Sequence, residues 1–346
     1  MRTIQLKTGT GQCRIITGGH LADVRGMISG SGLVVITDKN VSHFYRDQFP
    51  RGTMIEIEPG EKSKNLETVN SIYGQLLDSG IDRSDFIVGI GGGVVCDLAG
   101  FIASSYMRGL KFGFVASSLL AQVDAAIGGK NGVDYRDYKN IIGVIRQPEF
   151  VICDHDMLKT LEKKEFIGGL AEVIKYGAIM DISLFEYCED HSTDLLEMNP
   201  VMLDEIIYRS AVNKVRLVEI DEFETGERTK LNFGHTFAHA LEKITGVGHG
   251  EAVAVGMIIA AAMSVREGLL HEKKAIRLRS LIMNLGLPAT LDIAPVELFQ
   301  AIKKDKKKRG GEIGLVLIED IGKSVIKYID LDRLKLILDD LQLHSI

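Results

Sequence analysis

No two of the four cysteines, Cys13, Cys96, Cys153 and Cys188, stand in a CxxC pair. That scatter fits unpaired thiols in a reducing compartment better than a disulfide frame or a cysteine-built metal site. The opening residues, Met1-Arg2-Thr3-Ile4-Gln5-Leu6, lack the apolar core of a signal peptide. No apolar run reads as long enough to span a bilayer. Low-complexity tracts and internal repeats are also missing, which removes disordered and solenoid architectures. Nor is there an excess of positive charge: 41 Lys and Arg against 47 Asp and Glu leave a net charge of -6. That balance argues against nucleic acid as the main partner. The expectation is a cytoplasmic, globular enzyme with no membrane or nucleic-acid role. At 346 residues the chain is long for one core, so two domains are expected.

The chemistry concentrates in Leu231-Asn232-Phe233-Gly234-His235-Thr236-Phe237-Ala238-His239, running on to Gly248-His249-Gly250-Glu251. His235 and His239 are four apart, so a helix stacks both imidazoles on one face. His249 follows a Gly-containing break and opens a second helix-compatible run, Ala252 to Ala262. Two helices meeting there can aim three imidazoles at one space, and three protein ligands suit an open catalytic metal site. The competing reading of this spacing is a hydrogen-bonded histidine pair with no metal.

Upstream, β-rich runs at Arg14–Thr17, Leu33–Thr37, Met54–Glu58, Asp85–Ile90, Phe112–Val115 and Phe150–Asp154 alternate with helical stretches such as Leu66–Leu77. That order predicts a mostly parallel sheet with ligand loops at its carboxyl edge. Gly91-Gly92-Gly93 stands between a strand and a helix, where backbone N–H groups can approach a pyrophosphate. It is not GxGxxG, since Val94 takes the place of the last glycine, and a tight turn that simply needs glycines competes with the phosphate reading. Asp97 falls on the next helix's first turn, as a dipole partner or a ligand contact. Gly128-Gly129-Lys130-Asn131-Gly132 reads as a polar loop that meets an anion, or as one with a solvated lysine. From about Met157 the pattern turns helical, with one late ribbon over Ile313 to Ile329, so the expected domains are 1–156 and 157–346. Glu172 and Lys175 share a helix face inside an apolar run, as a plain salt bridge or as part of a site. Lys303–Arg309 is the one dense basic cluster, either a solvated face or an anion contact.

Together these segments resemble the 3-dehydroquinate synthase family within the sugar phosphate cyclases. The resemblance rests on Leu231 to His239 with His249-Gly250-Glu251-Ala252-Val253, and on Gly169-Leu170-Ala171-Glu172-Val173-Ile174-Lys175. The glycine loop, Ser105-Tyr106-Met107-Arg108-Gly109 and Gly128-Gly129-Lys130 add to it, and it extends from Asp38 to Ile321-Gly322-Lys323-Ser324. It implies an α/β Rossmann-like N-terminal domain that holds NAD and a mostly α-helical C-terminal domain that holds a divalent metal, zinc or cobalt. It also implies an active site in the cleft between them, and a homodimer. The implied metal ligands are Glu172, His235 and His249, which moves His239 to the substrate or to the support of the ligands. Implied NAD contacts are Asp38, Glu61, Lys64, Gly91, Gly92, Gly93, Asp97, Ser117, Ser118, Lys130, Lys139 and the turn from Met157 to Thr160. Implied substrate contacts are Arg108, Asp124, Lys130, Asn140, Lys175, Lys214, Glu224, Arg228, Asn232, His239 and Lys306.

The implied reaction turns 3-deoxy-arabino-heptulosonate 7-phosphate, a sugar phosphate, into 3-dehydroquinate on the way to aromatic amino acids. Hydride passes from C5 to NAD, phosphate is eliminated, hydride returns, and ring opening and aldol closure follow, so NAD is not consumed. Some positions depart from the family's usual pattern. Ser117-Ser118 replaces a threonine pair, Asn131 a Thr, and Asp134 an Asn, while Asp137-Tyr138 precedes Lys139-Asn140 where a small residue and Gly are usual. The rivals are a sister cyclase for another sugar, a metal-dependent polyol or glycerol phosphate dehydrogenase, and a catalytically dead NAD- and metal-binding scaffold.

Overall fold

The computed structural model describes residues 1–28, 30, 32–136, 138–305 and 311–340. Its strands are β1 (Arg2–Thr8), β2 (Gly11–Thr17), β3 (Leu33–Asp38), β4 (Thr53–Ile57), β5 (Phe86–Gly91) and β6 (Lys111–Ala116). They continue as β7 (Lys130–Tyr135), β8 (Tyr138–Ile145), β9 (Phe150–Cys153), β10 (Glu312–Asp320) and β11 (Lys323–Asp330). The helices are α1 (Lys39–Tyr45), α2 (Leu66–Asp78), α3 (Gly93–Ser105), α4 (Lys163–Met180), α5 (Ile182–Asp190), α6 (Ser192–Leu196) and α7 (Pro200–Ile220). After them come α8 (His235–Thr245), α9 (His249–Arg266), α10 (Glu272–Asn284), α11 (Pro295–Asp305) and α12 (Leu331–Asp340).

The chain divides into two compact units, Met1–Glu162 with Leu203–Phe223, and Lys163–Met202 with Glu224–Ile346. A single cut near Asp156 does not anticipate this, because most of α7 returns to the first unit. The return is held by contacts about 200 residues apart in sequence. Arg2 Nη1 donates to Glu205 at 2.8 Å, and the Lys7 amide donates to Glu219 at 3.0 Å.

In the first unit, seven strands among the described residues pair in the order β4-β3-β5-β6-β9-β2-β1. Six of them, from β4 to β2, are parallel, β1 being the antiparallel exception, and β5 near the centre is buried at every residue. The chain steps outward from β3 to β4 and then back across to β5, so β3 and β5 flank the point where the winding reverses. Ligands of doubly wound sheets bind outside the carboxyl ends at such a point. The core beneath includes Val35, Val88, Ile90, Val115 and Ile152, with the rings of Phe86 and Phe150 stacked 5.9 Å apart.

The Gly-Gly-Lys segment is a loop only in its first two residues, with Gly128 and Gly129 in a bend and Lys130 already in a strand. It leads into β7, which forms an antiparallel hairpin with β8 against α3. Its polar, glycine-rich composition hides the strand, since the two arms hydrogen-bond to each other and need no alternating apolar face.

In the second unit, helices surround α9, which is long and apolar enough to cross a membrane but has 72% of its span buried inside the protein. It is a core helix whose apolar length the run-by-run reading of the sequence understated. The late ribbon forms as β10 and β11, in register from Glu312↔Asp330 inward.

Candidate functional site

At the reversal point of the first unit, β3 ends on Asp38, whose carboxylate accepts from the Val41 amide at 3.0 Å and caps α1. Burial raises the Asp38 pKa, and the amides of Val41 and Asn40 oppose the rise. Next to it β5 ends on Gly91, and Gly92 caps α3, so the unpaired first-turn amides of α3 open at the same sheet edge. The Ser117 amide donates to Gly91 O at 2.9 Å, and Ser118 Oγ accepts from Ala121 N at 3.3 Å.

Lys64, only 5% exposed, pairs with Asp97 and stands 3.8 Å from Glu61. Burial works against the Lys64 charge, but Asp97 and Glu61 outweigh it and raise its pKa. For Asp97 the balance tips the other way: burial outweighs Lys64 and pushes the carboxyl up to about 6. The turn from Met157 to Thr160 is tied to the end of α1, with Thr160 Oγ1 2.9 Å from the Tyr45 hydroxyl.

Asp124 lies in a single π-type turn, Ala121–Ala125, a form frequent at functional sites, and pairs with Lys214 of α7. Lys130 opens β7, while Lys139 and Asn140 are exposed on β8. Two of the unusual hairpin residues have local structural partners. Asn131 is buried and donates from Nδ2 to Gly129 O at 2.8 Å and Arg146 O at 2.9 Å. Asp134 accepts from the Asn140 amide at 2.7 Å, and its own amide donates to Lys64 O at 2.8 Å. It thereby steadies Asn140, whose φ of 54° is left-handed. Met107 and Arg108 are consecutive left-handed residues, φ 48° and 68°. Such strain costs about 1–3 kcal/mol per residue and clusters where function holds a side chain in place.

In the second unit Glu172 and Lys175 form an ion pair inside α4, their side chains 0% and 1% exposed. The pair is real, and it is also part of something larger. Glu172 Oε1 stands 3.6 Å from His235 Nε2 and 3.5 Å from His249 Nε2. One ligand atom from each of these three residues lies within 4.8 Å of the others.

Two backbone crossings bring them together. A Cβ on Gly250, directly after His249, would lie 2.2 Å from Gly168 Cα, one turn before Glu172. A Cβ on Gly234, directly before His235 and at φ 79°, would lie 2.7 Å from the Met257 amide of α9. Only glycine permits either approach. The ring Nδ1 atoms are engaged as well: His235 Nδ1 lies 3.2 Å from Phe233 O, and His249 Nδ1 lies 2.6 Å from Glu242 Oε1. With Nδ1 turned to an acceptor, each ring directs Nε2 toward the common point, where it can donate an electron pair once that nitrogen carries no proton.

Burial pushes His235 down to about 3 and keeps it neutral. Burial acts in the same direction on His249, but Glu172 and Glu242 outweigh it and lift the pKa to about 9. One buried carboxylate and two imidazoles, aimed at a common point, are a donor set that fits a divalent ion of the zinc or cobalt type.

His239 does not join this group. It is exposed and meets His235 edge-on with ring centres 5.8 Å apart. Helical i, i+4 spacing lets two imidazoles share one ion, but the atoms that converge within 4.8 Å come from Glu172, His235 and His249, and the exposed His239 ring lies outside that group. The three-histidine arrangement is therefore replaced by Glu172 with His235 and His249.

Arg228 is 1% exposed on the short turn Glu227–Asn232 that leads into α8. Asn232 Nδ2 donates to Glu224 Oε1 at 2.6 Å, and Glu224 is left-handed at φ 57°. Lys306 and Asp137 lie outside the described residues. Glu242 was not singled out from the sequence. Its spacing, seven residues after His235 and three after His239, puts it on their helix face and was the available signal.

Comparison with known proteins agrees across the chain. The family model described as 3-dehydroquinate synthase N-terminal matches residues 54–168, and the one described as 3-dehydroquinate synthase C-terminal matches residues 169–308. The 3-dehydroquinate synthase of Pelobacter propionicus is 40% identical over 336 residues, which cover 92% of this chain and 94% of the relative. Among solved structures, 2-deoxy-scyllo-inosose synthase complexed with carbaglucose-6-phosphate, NAD+ and Co2+ is similar with a TM-score of 0.88 at 25% identity, covering 98% of this chain and 100% of that one. The 2-epi-5-epi-valiolone synthase of Streptomyces hygroscopicus subsp. jinggangensis, with NAD+ and Zn2+ bound, is similar with a TM-score of 0.86 at 25% identity, each chain being covered fully, 100%.

Proposed function

This chain belongs to the 3-dehydroquinate synthase family, and from that premise we propose that it converts 3-deoxy-D-arabino-heptulosonate 7-phosphate to 3-dehydroquinate and phosphate. The reaction is that of a carbon–oxygen lyase using NAD and a divalent metal. The observation that carries the proposal is buried Glu172 with His235 and His249 converging on it and Lys175 paired to it. An NAD-dependent cyclase needs such a centre, and a plain structural salt bridge does not need two imidazoles aimed at it.

When bound, NAD would supply the hydride acceptor and the metal a Lewis acid for the substrate's hydroxyls. Glu172, His235 and His249 would hold the metal. Lys175 keeps an ammonium at the ligand carboxylate, where it can hydrogen-bond the substrate oxygen that loses its proton. Arg228, buried and planar, would grip the phosphate or carboxylate with its fixed fork of donors. Asn232 held by Glu224, and Lys214 held by Asp124, would enter the reaction already oriented. His239, Arg108, Lys130, Asn140 and Lys306 complete the proposed substrate contacts.

In the first unit, Asp38, the Gly91 to Gly93 amides, Ser117, Ser118 and the Lys64–Asp97–Glu61 group would hold NAD, with Lys139 and the Met157 to Thr160 turn beside them. The proposal also includes a homodimer, on the strength of the family resemblance, and a cytoplasmic setting, on the scattered cysteines.

The test is phosphate release from this sugar with catalytic NAD, with and without a chelator, beside sedoheptulose 7-phosphate and glucose 6-phosphate. Chelator-sensitive release on the first sugar alone, with no accumulating NADH, is expected. Release only on another sugar would make the chain a sister cyclase. Net NADH production would make it a dehydrogenase.

A further inference from the structure

We propose that Glu242 is a positioning residue for the metal ligand His249, and that α8 thereby controls both imidazoles of the centre. The inference deepens the metal reading above and rests on it. His235 starts α8, and Glu242 follows seven residues later, so two helical turns bring it round to the same face. From there its carboxylate, only 9% exposed, reaches across to the first residue of α9 and meets His249 Nδ1 at 2.6 Å. The opposite ring nitrogen, Nε2, then faces Glu172 Oε1 at 3.5 Å.

The two imidazoles are supported unequally. His235 Nδ1 faces a neutral backbone carbonyl at 3.2 Å, and His249 Nδ1 faces a carboxylate. A carboxylate behind an imidazole fixes the ring's tautomer and orientation and strengthens the other nitrogen as a donor. It also balances charge. Glu172 and Glu242 bring two negative charges and Lys175 one positive, so a divalent cation meets a net negative setting rather than a neutral one. Loss of such a support typically costs 10–100-fold in metal affinity.

The test loads the metal-free, full-length chain with cobalt(II) alone and reads affinity and the visible cobalt spectrum, beside the thermal unfolding of each metal-free variant. Glu242→Gln removes the charge at nearly constant shape. It is expected to weaken cobalt binding by about 10–100-fold and to shift the cobalt band, while the metal-free chain loses only the stability of the His249–Glu242 pair and stays fully folded at the temperature of the titration. Glu242→Asp keeps the charge but withdraws it, and should fall between the two. Should Glu242→Gln fold poorly, Glu242→Asp carries the test, since weakened cobalt binding at unchanged metal-free stability still requires the carboxylate's position. Parental affinity and spectrum in Glu242→Gln would overturn the proposal. So would weakening that follows the loss of metal-free stability, which would make Glu242 a strut between α8 and α9. His249→Ala separates the premise from the inference. If it binds cobalt as the parent does, the metal centre itself is wrong and Glu242 falls with it.

Discussion

Charged side chains of the first unit gather at the open carboxyl edge of β3 and β5, whereas in the second unit Glu172 and Lys175 are closed inside α4. The edge exists because a parallel sheet winds that way. Its amides face outward without special packing, so Asp38, Gly92 and Ser117 need only sit at strand ends. The helical centre has no such default. Its three candidate ligands come from three helices, and helices wrapped in ordinary side chains stay 8–10 Å apart axis to axis. Glycines at 234, 250 and 256 remove that spacing where the ligands must converge. A sheet edge thus tolerates variation in its side chains, while a helical centre depends on the backbone contacts that assemble it.

The sharpest break of that contrast is Glu172→Ala, which leaves Lys175 buried without its carboxylate. A loss of about 3–5 kcal/mol is expected in urea unfolding, largely recovered by adding Lys175→Met. A loss no larger than that of Asp97→Ala would erase the contrast.

Gly250→Ala comes next. Helix propensity favours the change by about 1 kcal/mol, but the new Cβ would sit 2.2 Å from Gly168 Cα. A net loss of about 1–3 kcal/mol is expected from overpacking, together with the loss of cobalt uptake. Unchanged uptake would show that the crossing does not set the centre.

At the sheet edge the expected signal is a pH dependence. The Asp97 carboxyl rises from 3.8 to about 6 on folding because burial outweighs Lys64. A raised acid stabilises the fold fully below 3.8, and that contribution is lost as pH rises through about 6. The unfolding free energy of the parent, from urea titration, should therefore fall between pH 4 and 6.5 more steeply than that of Asp97→Asn, by up to about 1.4 kcal/mol per pH unit. Parallel curves would count against the buried-carboxylate account.

The smallest effect belongs to Asn131→Thr. It removes two buried hydrogen bonds and is expected to cost about 1–2 kcal/mol while leaving KM for the sugar phosphate unchanged. A shift in KM would tie Asn131 to substrate binding.

Much of the sheet edge was legible in advance, because strand ends, glycines and an N-capping Asp are local signals. Asp38 and Gly91 to Gly93 stand where the alternation of strands and helices puts them. The β7–β8 hairpin was not legible, since Asn131 and Asp134 are polar and their partners, Arg146 and Asn140, are set by folding. The histidine pair at 235 and 239 was legible as a helix face but misleading as a ligand set. Helical spacing reports which side chains share a face, not which of them reach a point defined by another helix. The residue pattern marked Glu172 as a salt bridge or part of a site, only the motif resemblance made it a metal ligand, and neither route pointed to Glu242.

By itself the sequence determined the layers: a parallel α/β sheet, a helical remainder, and the side chains able to do metal and phosphate chemistry. Those follow from periodicity and residue type, which act over one or two turns of chain. The tertiary structure alone decided that α7 joins the first unit, that Glu172 meets His235 and His249, and that Glu242 stands behind one of them. Each of these depends on contacts between residues distant in sequence, and whether a helix lies at backbone distance from another is a property of the packed interior.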